Sequence, residues 1–416
     1  MKTFYTLLII LIPFVGLCQQ TFIPDDNFEQ ALIDLGLDDI LDDSVITANI
    51  EEVSILDLNC FMIFDITGIE DFTNLEILNI SNNFLDNVDL SQNNNLTELD
   101  ISSNGIESIN LDNNINLISI DFSSNNLQTA NFDTNLNLVN INGNYNNLES
   151  IIVNNCLGLE LLYLRHNQIT EINLENNTLL KELDMRGNQL IDLNINQNPE
   201  MTYLNCGDNE LENLNLFNNT NLEILLCHSN FLTTLNLHLN MNLNILNCRN
   251  NQISFLSLGN NLLIDTLYVH QNNLTELEIS SNTGLVQVWC FENQITQIDL
   301  SSNILIEDFR CDNNNLNSLD LRNGNNTEMI VNLTDNLDLF CINVDDSQWS
   351  SENWFEIDTQ HFFSEDCNMT SLDDLKLTNK FKISEFDLFG RMTNVKNQPV
   401  IEIYNDGSVE KKIIIE

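Results

Sequence analysis

Positive charge is scarce in this sequence. Lys and Arg together number 14 against 62 Asp and Glu in 416 residues, a formal net charge of −48. A surface of that sign repels phosphate backbones and anionic lipid headgroups, which disfavours nucleic acid and the membrane surface as direct partners. Long apolar runs are missing as well. Beyond the first 20 residues no segment holds about 18 uninterrupted apolar residues, the length a bilayer-spanning helix needs, so no insertion of the mature chain is expected. No EF-hand spacing occurs among the many carboxylates. Hydrophobic residues nevertheless make up 43% of the chain. Their even spacing argues for a continuous core and against disorder.

The segment from Met1 to Gln20 reads as a secretory signal: Lys2 gives the positive start, Phe4 to Val15 the apolar stretch, and Gly16 and Cys18 the small residues before a cut. The signal is therefore taken as residues 1–18, with the mature chain starting at Gln19. A lipid anchor on Cys18 would want a small residue before it, and Leu17 is not small.

From Leu75 an apolar residue recurs every 21 positions as far as Ile306, which defines twelve units over residues 75–327 without an insertion. Counting each first residue as offset zero, apolar residues return at offsets three and five, as in Leu162 and Leu164, and at ten, thirteen and fifteen, as in Ile169, Ile172 and Leu174. Offset eight is Asn in all twelve units, from Asn83 to Asn314. The first half of each unit predicts a short strand. The Asn amide, which both donates and accepts, suits the backbone groups of the turn that follows. A single unit cannot close a core, so neighbours must stack and both ends need caps.

The spacing L-x-x-L-x-L-x-x-N-x-L-x-x-L-x-L-x-x-N resembles the short bacterial classes of leucine-rich repeats. That resemblance implies a solenoid with a parallel β-sheet on its concave face. Pro24-Asp25-Asp26 followed by Phe28, Ala31, Leu32 and Leu35 predicts a capped amphipathic helix, and Asp38 to Ile69 an irregular first unit. Residues 19–74 thus resemble the N-terminal cap of Bacteroidetes-type leucine-rich-repeat proteins. At the other end the register breaks after Thr327, and residues 328–368, with Trp349 and Trp354, are read as the closing cap, Cys341 pairing with Cys367.

Composition changes near Leu372. Half of the 14 basic residues lie from Lys376 onward, while only 8 of the 62 acidic ones follow Leu372. Residues 369–416 are therefore read as a separate small β module, with strand-like runs at Phe381 to Leu388, Val400 to Tyr404 and Val409 to Ile415 and a turn at Asn405-Asp406-Gly407. The strings from Phe386 to Arg391 and from Asp406 to Ile413 resemble the sorting domain read by the type IX secretion system of Bacteroidetes. The usual Gly-x-Tyr strand opening is replaced here by Gln398-Pro399-Val400. The resemblance implies an address, recognised by the secretion machinery, and a product that is secreted or held at the outer-membrane surface.

Alternation along a strand points offsets three and five inward and two, four and six to the concave surface. Cys206, Cys227, Cys248, Cys290 and Cys311 all fall at offset five and read as core filler. Cys227 beside His228 invites a nucleophilic reading, but adjacent strand residues face opposite ways. His228 and His270 share offset six two units apart, about 10 Å, too far for one zinc ion. No metal site is expected, and no cofactor either, although Asp34, Asp38, Asp39, Asp42 and Asp43 offer hard oxygens near the first cap that leave calcium open.

The repeat body has only six basic residues, and four of them occupy concave offsets: Arg165, Arg186, Arg249 and Arg310. The same strip carries Tyr163, Asp184, Tyr203, His228, Tyr268, His270, Trp289 and Phe291, whereas the first three units show mostly Ser, Asn and Asp there. Aromatic and Arg side chains combine large contact area with directional donors and dominate interface hot spots, so this stripe is the candidate ligand-binding site. The competing reading has Arg165 and Arg186 simply pairing with Asp184 across neighbouring strands. No region outside the repeats is large enough for a catalytic domain, so no enzyme is expected. The sequence predicts a secreted or surface binding protein with a protein or glycan partner. A spacer without a ligand and an accessory to an extracellular hydrolase remain as alternatives.

Overall fold

In the computed structural model, residues 19–367 are described together with the backbone of three later strands, Lys382–Asp387, Pro399–Tyr404 and Val409–Ile413. The signal expected at 1–18, the turn at 405–407 and residues 388–391 of the sorting motif lie outside the described residues. The chain winds as a parallel β-solenoid. Offsets two to four of each unit form a three-residue strand, and these strands pair in register one unit apart, Leu162 opposite Leu183 and Leu183 opposite Leu204. The resulting 14-stranded sheet starts at Ile55–Asp57 and ends at Ile330–Asn332, so it runs one strand past the twelve regular units at each end. The closing segment therefore begins as a further turn of the solenoid, with Val331 opposite Phe309.

Alternation explains the core. The residues at offsets three and five, such as Leu162 and Leu164, are fully buried, as are Ile169 and Leu174 from the second half of the same unit. Gly143 breaks the pattern at offset five, and the Phe122 ring from the unit before fills its place: a Cβ on Gly143 would collide with that ring. The opposite side of the solenoid carries only fragments of sheet, a pair at Thr129–Asn131 and Ser150–Ile152 and a four-stranded group from Gln297–Asp299 to Phe362–Ser364.

Two ladders of Asn hold the turns. At offset eight, each amide ties two units together. Asn209 donates to the carbonyls of Cys206 and Gly207 in its own unit and Met185 in the unit before, and its Oδ1 accepts from Leu190 N–H. Asn336 extends this ladder into the closing segment, donating to Cys311 O and Leu333 O. The residue before each of the twelve offset-eight Asn is left-handed, with φ between 52° and 69°, although only Gly187 among the twelve is a glycine. Non-glycine residues avoid that region unless neighbouring contacts enforce it. The Asn hydrogen bonds enforce it here.

The second ladder stands at offset eighteen. Asn135 donates to Leu111 O and Asn114 O of the preceding unit, and Asn177 repeats the arrangement with Val153 O and Cys156 O. Cys156 interrupts the series, with its Sγ 3.5 Å from Phe132 O and 3.7 Å from Asn135 O. A thiol is a weak donor. Cys156→Asn should restore two amide hydrogen bonds and raise stability by about 1 kcal/mol, read as a higher urea midpoint at unchanged m-value.

The ends are closed differently. At the start, the helix Asp26–Asp34 is capped by Asp25, whose carboxylate also accepts the N–H groups of Phe64 and Asp65. Fully buried Glu29 accepts the N–H groups of Asp42, Asp43 and Ser44, so the acidic loop wraps around a carboxylate. At the other end the helix Ser347–Asn353 precedes buried Trp354, which donates to Met329 O, and a disulfide joins Cys341 to Cys367.

Candidate binding site on the concave face

The parallel register sets neighbouring concave side chains side by side. Tyr163, Asp184, Asn205, Leu226, Asn247, Tyr268, Trp289 and Arg310 form one column at offset four. At its C-terminal end the Trp289 ring lies 4.7 Å from Tyr268 at a 45° tilt, and the Arg310 guanidinium sits over the indole at 4.6 Å. Asp308 accepts from both Arg310 and Trp289 Nε1, fixing the two together. In the next column His270 stacks on Phe291 at 4.1 Å and lies 5.9 Å from Trp289. Five residues of the stripe predicted from the sequence thus form one contiguous cluster.

The second half of the stripe is a polar group. Arg186 pairs with Asp208 at 2.8 Å and not with Asp184, while Arg165 donates to Tyr145 OH and lies over the Tyr145 ring at 4.8 Å. Pairing of both arginines with Asp184 is thereby corrected. The Asp184 carboxylate, nearly buried, instead accepts the backbone N–H of Arg186. Burial, opposed by that N–H and by Arg165, holds its pKa above the ordinary value. Tyr163 donates to Glu182, and burial reinforced by that carboxylate pushes its phenol up. Burial likewise raises Tyr203, with Asp184 adding to it. Tyr145, which stacks on His166 at 4.9 Å, belongs to this group although strand alternation gives no sign of it, because it occupies the left-handed turn.

His228 and His270 depart from the sequence expectation of open concave positions: only 4% and 5% of their surface is exposed. The chain turns at offset seven, immediately after each imidazole, and each ring folds down against its neighbours. His228 lies over Gly207, where a Cβ would come within 2.6 Å of the imidazole. Burial first, and the Arg249 charge second, push both imidazoles down to about 4, so both are neutral at physiological pH. Arg249 stands between them and, among the described residues, makes no ion pair and no side-chain hydrogen bond.

The offset-five cysteines are buried free thiols. Burial pushes Cys206 and Cys248 up to about 12, which removes thiolate chemistry at neutral pH. No group of three or more His, Cys, Asp or Glu among the described residues is placed to hold a metal. None of the described helices is long and apolar enough to cross a membrane.

No protein-family model matches the chain, and no curated relative matches it by sequence. Solved structures do. The chain is similar to the functional domain of InlJ from Listeria monocytogenes, described as including a cysteine ladder, at 21% identity over 94% of this chain and 98% of that one, TM-score 0.63. It is also similar to the internalin InlF of the same species at 22% identity, covering 74% of this chain and 95% of that one, TM-score 0.66. A third likeness is the ectodomain of the Arabidopsis thaliana receptor kinase GASSHO1/SCHENGEN3 in complex with Casparian strip integrity factor 2, at 18% identity over 71% of this chain and 39% of that one, TM-score 0.58. The fold is that of a leucine-rich-repeat protein.

Proposed function

We propose that this is a bacterial, secreted or cell-surface binding protein that holds a protein partner on the C-terminal half of its concave face, and that it is not an enzyme. The observation that carries the reading is the joined cluster of Tyr268, Trp289, Arg310, His270 and Phe291. Large amphipathic rings already fixed by their neighbours lose little entropy on binding. Arg310 and Tyr268 pack on Trp289 and occupy part of the ring surface that sugar stacking would use, which favours a protein over a glycan. The complex formed by the third structural likeness gives the fold a precedent for gripping another polypeptide.

Tyr268→Ala combined with Trp289→Ala should weaken capture at least roughly 30-fold when the mature chain is probed against arrays of extracellular proteins and glycans. Capture equal to that of the wild type would overturn the site.

The C-terminal strands pair antiparallel, Lys382–Asp387 with Pro399–Tyr404 and that strand with Val409–Ile413. We infer that this module is the type IX export address. Deleting residues 372–416 should leave the solenoid intact by circular dichroism and abolish its appearance outside the cell. Unchanged export would remove the assignment.

A further inference from the structure

Charge is distributed unevenly over the concave face. The chain as a whole carries 62 carboxylates, and they reach concave offsets in the flanking units: Glu182 and Asp184 on one side, Asp308 and Asp312 on the other. In the five units from Met201 to Phe291, none of the residues at offsets two, four and six is acidic. Arg249 is the one formal charge among them. Its neighbours in the offset-six column are the two neutral imidazoles, His228 and His270. Of the carboxylates along these units, Glu223 and Asp265 stand at offset one, the far end of the strands, and Glu292 at offset seven accepts from Gln271. Asp208 is taken by Arg186 and Asp308 by Arg310.

An unpaired, half-buried guanidinium inside an acid-free window is unusual in so acidic a protein. Arg presents a fork of donors that matches a carboxylate in a bidentate pair. Its own and adjacent strands present Ile224, Leu226, Ile245 and Tyr268 alongside polar Asn247 and Thr266, and Trp289 stands one strand further on. His270 adds a second signal, for it is 95% buried and its Nδ1 has no hydrogen-bond partner.

We infer that Arg249 is a carboxylate-binding subsite, and that the partner is a polypeptide segment presenting one Asp or Glu between apolar side chains. This rests on the concave-face reading above and gives it a chemistry. The surrounding negative field repels any partner with dense acidic charge, so the site selects an isolated carboxylate within an otherwise hydrophobic sequence. The apolar neighbours supply contact area, and Arg249 sets register.

The test uses the full mature chain and an array of synthetic peptides with a central Asp or Glu flanked by Leu, Phe or Trp, beside the same peptides carrying Asn or Gln. The wild type should favour the acidic set at least tenfold. Arg249→Gln should erase that preference while retaining residual capture of both sets, and Arg249→Lys should keep part of it. Equal capture of the acidic and amide sets by the wild type, a preference that survives Arg249→Gln, or no capture of either set overturns the subsite. The variant Tyr268→Ala with Trp289→Ala separates the two readings. If it lowers capture while no acidic preference exists, only the carboxylate assignment falls; if it captures both sets as the wild type does, the concave-face reading falls with it.

Discussion

Asn209→Ala is expected to remove about 4 kcal/mol of stability, near ~1 kcal/mol for each of the hydrogen bonds the amide makes to the backbone. The loss exceeds that of an ordinary surface contact because the groups left behind are buried. The carbonyls of Met185, Cys206 and Gly207 lose their donor, and Leu190 N–H loses its acceptor. These groups belong to two successive units, so the substitution weakens the junction between them as well as the turn. In a solenoid, cooperativity is carried by such junctions. The unfolding transition should therefore broaden or split, with the units before Met201 and those from Met201 onward melting apart. Asn209→Asp should be at least as costly, since it keeps the acceptor, loses both donors and buries a carboxylate. Asn176→Ala is the control: its exposed amide donates only to Asn154 O, and about 0.5 kcal/mol is expected. Urea denaturation followed by circular dichroism measures all three. A cost below about 1 kcal/mol for Asn209→Ala would mean that the turns hold themselves.

Acid should destabilise the middle of the array through two specific residues. His228 and His270 are pushed from 6.5 to about 4 in the folded chain. The unfolded chain therefore binds extra protons between those values, and stability rises with pH across the window. Their contribution is complete above about pH 6.5, falls as pH drops toward 4, and is fully lost below it. A shift of that size corresponds to about 3 kcal/mol for each imidazole. Asp208, 3.7 Å from His228, favours the protonated ring, while Arg186 and Arg249 oppose it. The double variant His228→Gln with His270→Gln should show a much flatter dependence of the urea midpoint between pH 7 and pH 4.5. Carboxylates such as Asp184 titrate alike in both proteins and drop out of the difference. Parallel slopes for wild type and variant would sink the assignment. Arg249→Gln, by removing a repelling charge, should move the acid transition to lower pH.

The repeat made much of this legible. A period held for twelve units tells inward from outward positions, which is why spacing alone places the cysteines at offset five in the core. The offset-eight Asn could be assigned to turns, but not the fact that each amide reaches into the preceding unit. That detail depends on how far one turn is displaced from the next, a distance the sequence does not spell out. The same limit explains the other departures. Gly143 is an empty core position only because Phe122 is long enough to reach it. His228 is buried because Gly207 leaves room beneath it. The choice of Asp208 over Asp184 by Arg186 depends on where the strand ends and the chain bends. Periodicity describes one unit well; these features arise between units, from particular side chains meeting across a junction.

The unbroken register of the sheet has a consequence for the size of what can be held. Adjacent parallel strands stand about 4.8 Å apart, so the acid-free window from the strand Tyr203–Asn205 to the strand Gln287–Trp289 is about 19 Å across. An extended peptide advances about 3.3 Å per residue, and only about six of its residues fit between the two boundaries. The carboxylates beyond each boundary then act as gauges of length: a short hydrophobic stretch passes between them, and any acidic residue outside it meets its own charge.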